Sequence, residues 1–590
     1  MAAYQLGEWD LSEIAKSPKS PEFQKQIKEI QLLSKKFERI KSKLDPKMSS
    51  KKFLSILQDV EKISEKMSLI GGYASLSYSA NTQSDEATSL LTMITKLGSE
   101  ISNQVLFFDL WWKTQLDDKN ANRLIKNSGE LSEYLKHKRL VAKYSLSEPE
   151  ERIINTLDVT GVTALVKLYD KITNAFEYTM KIGNKTKKLT REELTNYVRN
   201  TNPKIREEAY KTLLTKYYEN KGVVGEIYQN IVLNWKQEGV DIRKYKSPIS
   251  MRNVGNNVDD KTIESLLQVC RKNAPVFQKF FIQKAKMLNM KKLRRYDLYA
   301  PSSSKIKEKN YSYEKSVKLV FDSLGKFSPE LENYAKKIFD QKHIDSSIRA
   351  GKRDGAFCST LTPKLTPYVL VNFTGKSRDV FTLAHELGHA VHSQSAQDRS
   401  ILVQDAPLPL AETASTFSEL LLYDNISNEI TNDEKKVMLS EKIDDLYATI
   451  MRQSFFTIFE QDAHTQIGQG TTIDEISKGY LKNLKEQFGN AVNISEDFAI
   501  EWSYIPHFYH TPFYCYAYSF GNLLALSLFQ RFKKEGKEFV PSYLSILEAG
   551  GSQKPEILLK EHGLDIRSPK FWQEGFDYIK TQVKELESIN

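Results

Sequence analysis

The chain has 590 residues, a hydrophobic fraction of 40%, a charged fraction of 27% and a formal net charge of +10. It is too long for one ordinary domain and has the balance of a soluble globular protein. Lysines and arginines are interspersed with acids along its length, which argues against a nucleic-acid partner. Three widely spaced cysteines, Cys270, Cys358 and Cys515, give no disulfide framework and suit a reducing compartment. No apolar run reaches the ~18 residues of a membrane span, and the segment Met1–Leu11 has no basic stretch followed by an apolar one. The expectation is a cytoplasmic protein with no membrane partner; the oligomeric state is not legible.

From Pro21 to about Lys43 the apolar residues Phe23, Ile27, Ile30, Leu33 and Phe37 recur near helical spacing. Further helical patterns run from Ser50 to about Ser79, from about Asp85 to Trp112, and with short polar breaks over 117–160. Gly71-Gly72 interrupts the second as a hinge or a close contact. The period then changes: Phe176–Met180 and Ile182–Leu189 read as a β-hairpin turning at Gly183-Asn184. Helical spacing resumes at Thr190, so the expected division is an N-terminal helical lobe, 1–190, and a larger domain, 191–590. Helices dominate to about Lys291, followed by a loop over Tyr296–Ser304. Pro367–Phe373 reads as a strand whose edge could pair with an extended peptide through its backbone.

Next comes Thr382-Leu-Ala-His385-Glu386-Leu-Gly-His389-Ala-Val-His392. It contains H-E-x-x-H; with 9 His and 75 Asp plus Glu in the chain, roughly 0.02 such matches are expected by chance. On a helix, residues four apart lie about 40° from each other, so His385 and His389 can reach one zinc ion. Val380, Leu383, Leu387 and Val391 form an apolar stripe almost opposite these histidines. Glu386 is turned about 100° from the first ligand, beside the metal without binding it, where it can take a proton from an attacking water. A catalytic zinc needs a third protein ligand. Pro407-Leu-Pro409 marks a helix start, and Glu412, 23 positions after His389, is the expected third ligand. Glu419, two turns on, is expected to support the ligands from behind. The last informative stretch, Trp502–Gly521, holds His507, Tyr509, His510, Tyr514, Tyr516 and Tyr518, whose O–H and N–H groups are candidate donors to a developing oxyanion.

These residues resemble the M3 family of zinc metallopeptidases, most closely its oligoendopeptidase F branch. The resemblance rests on Trp9-Asp-Leu-Ser, Asn202-Pro-Lys-Ile-Arg206-Glu-Glu-Ala, Tyr296-Asp-Leu-Tyr-Ala-Pro, Leu383-Ala-His-Glu-Leu-Gly-His-Ala, Leu410-Ala-Glu-Thr-Ala-Ser and the His507–Gly521 stretch, found in order along nearly the whole chain. It implies a mainly α, two-lobed, multi-helix zincin body with a deep substrate channel and a small β-sheet beside the zinc helix. It also implies one Zn2+ per chain on His385, His389 and Glu412, with Glu386 as general base. His507 and Tyr516 are the implied transition-state donors, and His510, Tyr514 and Tyr509 are further candidates for contact with substrate. The expected activity is internal cleavage of short unstructured peptides. The alternatives are a carboxypeptidase or dipeptidyl carboxypeptidase on the same scaffold, or a non-catalytic peptide-binding protein.

Overall fold

Hydroxyl caps start the first three long helices. Ser20, Ser49 and Ser84 precede Pro21–Glu38, Ser50–Ala80 and Asp85–Leu110, and each side chain accepts from the backbone N–H three residues on. Each cap satisfies one of the N–H groups that a helix leaves unpaired at its start. The structure, a computed structural model, describes residues 4–183, 185–301, 310–427 and 430–589. Phe23, Ile30 and Phe37 are buried along the first helix, with Ile27 and Leu33 packed beside them. They join Phe53, Leu57 and Ile70 of the second helix and Leu90, Ile94 and Ile101 of the third in one core, closed by Phe53 stacking on Trp112 at 5.1 Å. Among the described residues no helix is long and apolar enough to cross a membrane.

Gly72 lies inside the second helix and is a close contact, not a hinge. A Cβ added there would fall 2.3 Å from Leu361 Cδ2, and one turn earlier Ser68 Oγ donates to the Leu361 carbonyl at 2.5 Å. The segment that Leu361 belongs to carries a three-stranded sheet in which Tyr368–Leu370 is central, parallel to Ile344–Asp345 and antiparallel to Phe357–Ser359. The strand expected at 367–373 therefore has no free edge, because both its sides are taken; the outer strands are Ile344–Asp345 and Phe357–Ser359. A buried lysine holds the loop beside this sheet: Lys352 Nζ pairs with Asp345 at 2.8 Å and donates to the carbonyls of Ser347 and Val371.

The chain forms two compact units, and neither is the division at 190 expected from sequence. One comprises Met1–Lys143, Glu308–Glu429 and Leu528–Leu564; the other Tyr144–Lys307, Ile430–Ser527 and Asp565–Asn590. The change of period near 178 marks a local hairpin, Tyr178–Ile182 with Lys185–Leu189, that sits inside the second unit. A hairpin alters the sequence pattern without ending a domain. Asn184 in its expected turn, and positions 302–304 of the expected loop, lie outside the described residues.

In the second unit the Asn202–Ala209 and Tyr296–Pro301 stretches meet. Arg206 and Asp297 pair at 2.7 Å with both side chains buried. Close by, Arg295 binds Glu501 at 2.5 Å, and Tyr480 donates to the other Glu501 oxygen at 3.2 Å. Removing one partner of such a pair strands a buried charge. Asp297→Ala should therefore lose about 3–5 kcal/mol of stability in denaturant titration, whereas the double variant Arg206→Met with Asp297→Leu should recover most of that loss.

Candidate active site

The H-E-x-x-H segment is helical from Ser377 to Ser395. Asp379 caps its start, its Oδ2 accepting from the backbone N–H groups of Thr374 and Lys376 at 2.7 and 3.1 Å. Val380, Leu383, Leu387 and Val391 are buried as their spacing predicts. Pro407–Pro409 begins only a short turn, Leu408–Ala411; a separate helix, Thr413–Ile426, follows, and Glu412 is the cap residue between them. Gly388 lets the two helices cross closely. A Cβ there would lie 2.6 Å from the Ala414 carbonyl oxygen and from Ser415 Cα, so only hydrogen fits, and the crossing brings Glu412 to the histidines.

The donor atoms converge. His385 Nε2 and His389 Nε2 lie 3.2 Å apart, and Glu412 Oε2 is 3.3 Å from the first and 3.5 Å from the second. A tetrahedral ion with ligand bonds of about 2.0–2.2 Å separates its ligands by about 3.3–3.6 Å, so this triangle fits zinc. Among the described residues His385, His389 and Glu412 are the group able to hold a metal. His385 Nδ1 pairs with Glu419 Oε1 at 2.5 Å, which turns Nε2 toward His389 and Glu412. Ser415 Oγ donates to Glu412 Oε2 at 2.8 Å. His392, one turn on, is buried outside this group.

The electrostatics favour positive charge among these donors. Burial opposes ionisation of Glu412, but its hydrogen bond with His385 and the nearby His389 bring its pKa down to about 2. Burial pulls His389 down to about 4, leaving its imidazole neutral. Burial also works against charge on His385, yet Glu412 and Glu419 carry it well above the ordinary imidazole range. Glu386 is 7% exposed. Burial raises its pKa to about 7, against the lowering effect of the His385 charge and of the nearby Cys358 backbone N–H. A residue in an antiparallel strand turns its N–H and C=O to the same side. Val369, opposite Cys358, gives its N–H to the His343 carbonyl on the other side, so Cys358 points both its groups away from Tyr368–Leu370.

The second unit holds the His/Tyr stretch. His507 and Tyr518 approach at 3.4 Å, Nε2 to hydroxyl. The Tyr514 ring lies parallel to His507 at 6.2 Å and edge-on to Tyr518 at 5.3 Å. All three are half-buried. Tyr516, the expected partner of His507, is fully buried, and its hydroxyl accepts from Asn256 Nδ2 at 2.7 Å. Tyr509 is buried too, stacked on Tyr169 at 3.7 Å with its hydroxyl donating to the Val224 carbonyl. His510 is exposed and pairs with Asp170 at 2.7 Å. Helical spacing cannot be carried from His507 to Tyr518, because the helical turn His507–His510 ends at Thr511 and the next helix starts at Tyr516. Between them Phe513 has φ +58°, which resets the phase. The signal for Tyr518 was its place four residues after Tyr514.

Family comparison agrees with this geometry. The model of peptidase family M3 matches residues 196–578, and that of oligopeptidase F matches 114–178.

The chain belongs to peptidase family M3.

It is a peptide hydrolase of mainly helical fold. It is 28% identical to the oligoendopeptidase F homolog of Borreliella burgdorferi over 98% of each chain. It is 26% identical to the chromosomal oligoendopeptidase F of Lactococcus lactis subsp. cremoris over 92% of this chain and 90% of that one. The crystal structure of oligoendopeptidase-F from Enterococcus faecium shares the fold with a TM-score of 0.70 at 22% identity, covering 96% of this chain and 98% of that one.

A metal held by His385 should bind ~10–100-fold more weakly when the partner that orients the imidazole is removed. Glu419→Ala should show that loss for zinc in a competitive chelator titration. Gly388→Val should weaken zinc binding as well, because the added side chain pushes Glu412 away from the histidines.

Proposed function

We propose that this peptidase is a zinc-dependent oligoendopeptidase, held to its chemistry by His385, His389 and Glu412 as ligands and Glu386 as general base. The observation that carries this reading is the donor triangle with edges of 3.2–3.5 Å, on the helix that also carries Glu386. Zinc held there supplies a Lewis acid for the scissile carbonyl and lowers the pKa of the attacking water. Glu386 takes the proton from that water and passes it to the leaving amine. A carboxyl near pKa 7 suits both halves of that task. The Cys358 N–H faces Glu386 from an outer strand, and the Cys358 carbonyl, turned the same way, is the proposed acceptor for the backbone of an extended peptide.

His507, Tyr514 and Tyr518 are the proposed donors to the carbonyl oxygen as negative charge develops on it. Their grouping supports them over Tyr516, whose hydroxyl is engaged by Asn256. The names of the relatives support internal cleavage of short peptides.

Glu386→Gln should retain the metal and lose ~10²–10⁴ in kcat on an internally quenched peptide. Full activity of that variant would remove the general base. Tyr518→Phe should lower kcat by ~10²–10³ with little change in KM, and Tyr516→Phe by much less. The reverse order would restore Tyr516 as the donor. Acetylating and amidating a peptide together should leave kcat/KM within about threefold, since neither free end is needed. Collapse on amidation alone would identify a carboxypeptidase.

A further inference from the structure

The turn Thr511–Cys515 sets where Tyr514 and Tyr518 stand, and three side chains from two helices grip it. Arg252, on the helix Pro248–Gly255, donates from Nε to the Pro512 carbonyl at 3.1 Å. Asn256, the cap of that helix, donates to the Tyr516 hydroxyl at 2.7 Å. Glu460, on the helix Arg452–Ile467, accepts from the Phe513 backbone N–H through Oε1 at 2.8 Å. Glu460 is 1% exposed and its Oε2 has no hydrogen-bond partner. His464, one turn along, is also buried with both ring nitrogens unpartnered, and its ring meets that of Phe513 at 4.5 Å.

This is an expensive arrangement. A buried carboxyl with one free oxygen is costly to keep, and a phenylalanine in the left-handed region is disfavoured unless its surroundings enforce it. The two costs meet in one hydrogen bond, the Phe513 N–H to Glu460. We propose that Glu460 is a positioning residue for catalysis: by holding Phe513 at positive φ it sets the register of Tyr514 and Tyr518 against His507. Arg252 and Asn256 fix the two ends of the same turn. Burial lifts the Glu460 pKa to about 8, so the group acts as a neutral acceptor at pH 7 and a glutamine can replace it.

The inference rests on the reading of Tyr518 as a donor to the substrate, and the test separates the two. Kinetics on an internally quenched peptide are compared for Glu460→Gln, Glu460→Met, Arg252→Met and Tyr518→Phe, and for the double variant Glu460→Met with Tyr518→Phe, each with zinc content measured. Glu460→Met should lose ~10-fold or more in kcat with KM and zinc content little changed, and Glu460→Gln should restore most of it. In the double variant the losses should overlap, falling no further than Tyr518→Phe alone by more than about twofold. Should Glu460→Met not fold, Arg252→Met, which leaves the buried carboxyl in place, must show the same kcat-selective loss and the same overlap. Wild-type kcat in Glu460→Met, or losses that multiply with Tyr518→Phe, would overturn the inference while leaving the donor reading intact. Wild-type kcat in Tyr518→Phe would overturn the donor reading, and the inference with it.

Discussion

The site depends on how closely two helices cross. Gly388 is the residue where the backbone of Ser377–Ser395 comes within a hydrogen's breadth of Ala414 and Ser415. That approach places Glu412, at the cap of Thr413–Ile426, within 3.3 and 3.5 Å of the two histidines. The crossing is then fixed chemically by His385 and Glu419, one residue from each helix. The motif thus encodes more than its two histidines and its glutamate. Its fourth letter, the glycine between Leu387 and His389, supplies the room for Glu412.

Burial gives similar side chains different tasks. Glu412 and Glu386 are both largely enclosed carboxylates close to His385. Glu412 is stabilised as an anion by the imidazoles and by Ser415, so it is ready to bind a cation. Against its burial Glu386 has the charge of His385 and the Cys358 N–H, while Glu412 and Glu419 add to the rise, so its affinity for a proton increases into the range a base needs near neutral pH. Two carboxylates beside one histidine are thereby given opposite affinities for a proton.

The grouping of His385, His389 and Glu412 was legible because H-E-x-x-H couples a chemical requirement to helical periodicity, and because Glu412 follows at a distance that one loop can span. The first three helices were legible from their helical patterns. Three features were not. The compact units could not be read because they are assembled from segments far apart in the chain, whereas the hairpin near 178 changes only the local period. The strand at 368–370 could be read, but its central position could not, since strand order is set by partners at 344–345 and 357–359. Tyr516 was expected beside His507, but the intervening turn, with Phe513 at positive φ, breaks the spacing and brings Tyr518 there in its place.

The central claim is that two imidazoles and a carboxylate hold one zinc ion. Zinc K-edge X-ray absorption of the zinc-loaded chain tests it directly. The account predicts one zinc per chain with two imidazoles and oxygen donors at ~2.0–2.2 Å, and no sulfur. A sulfur shell near ~2.3 Å, which would implicate Cys358, or a single imidazole would contradict it.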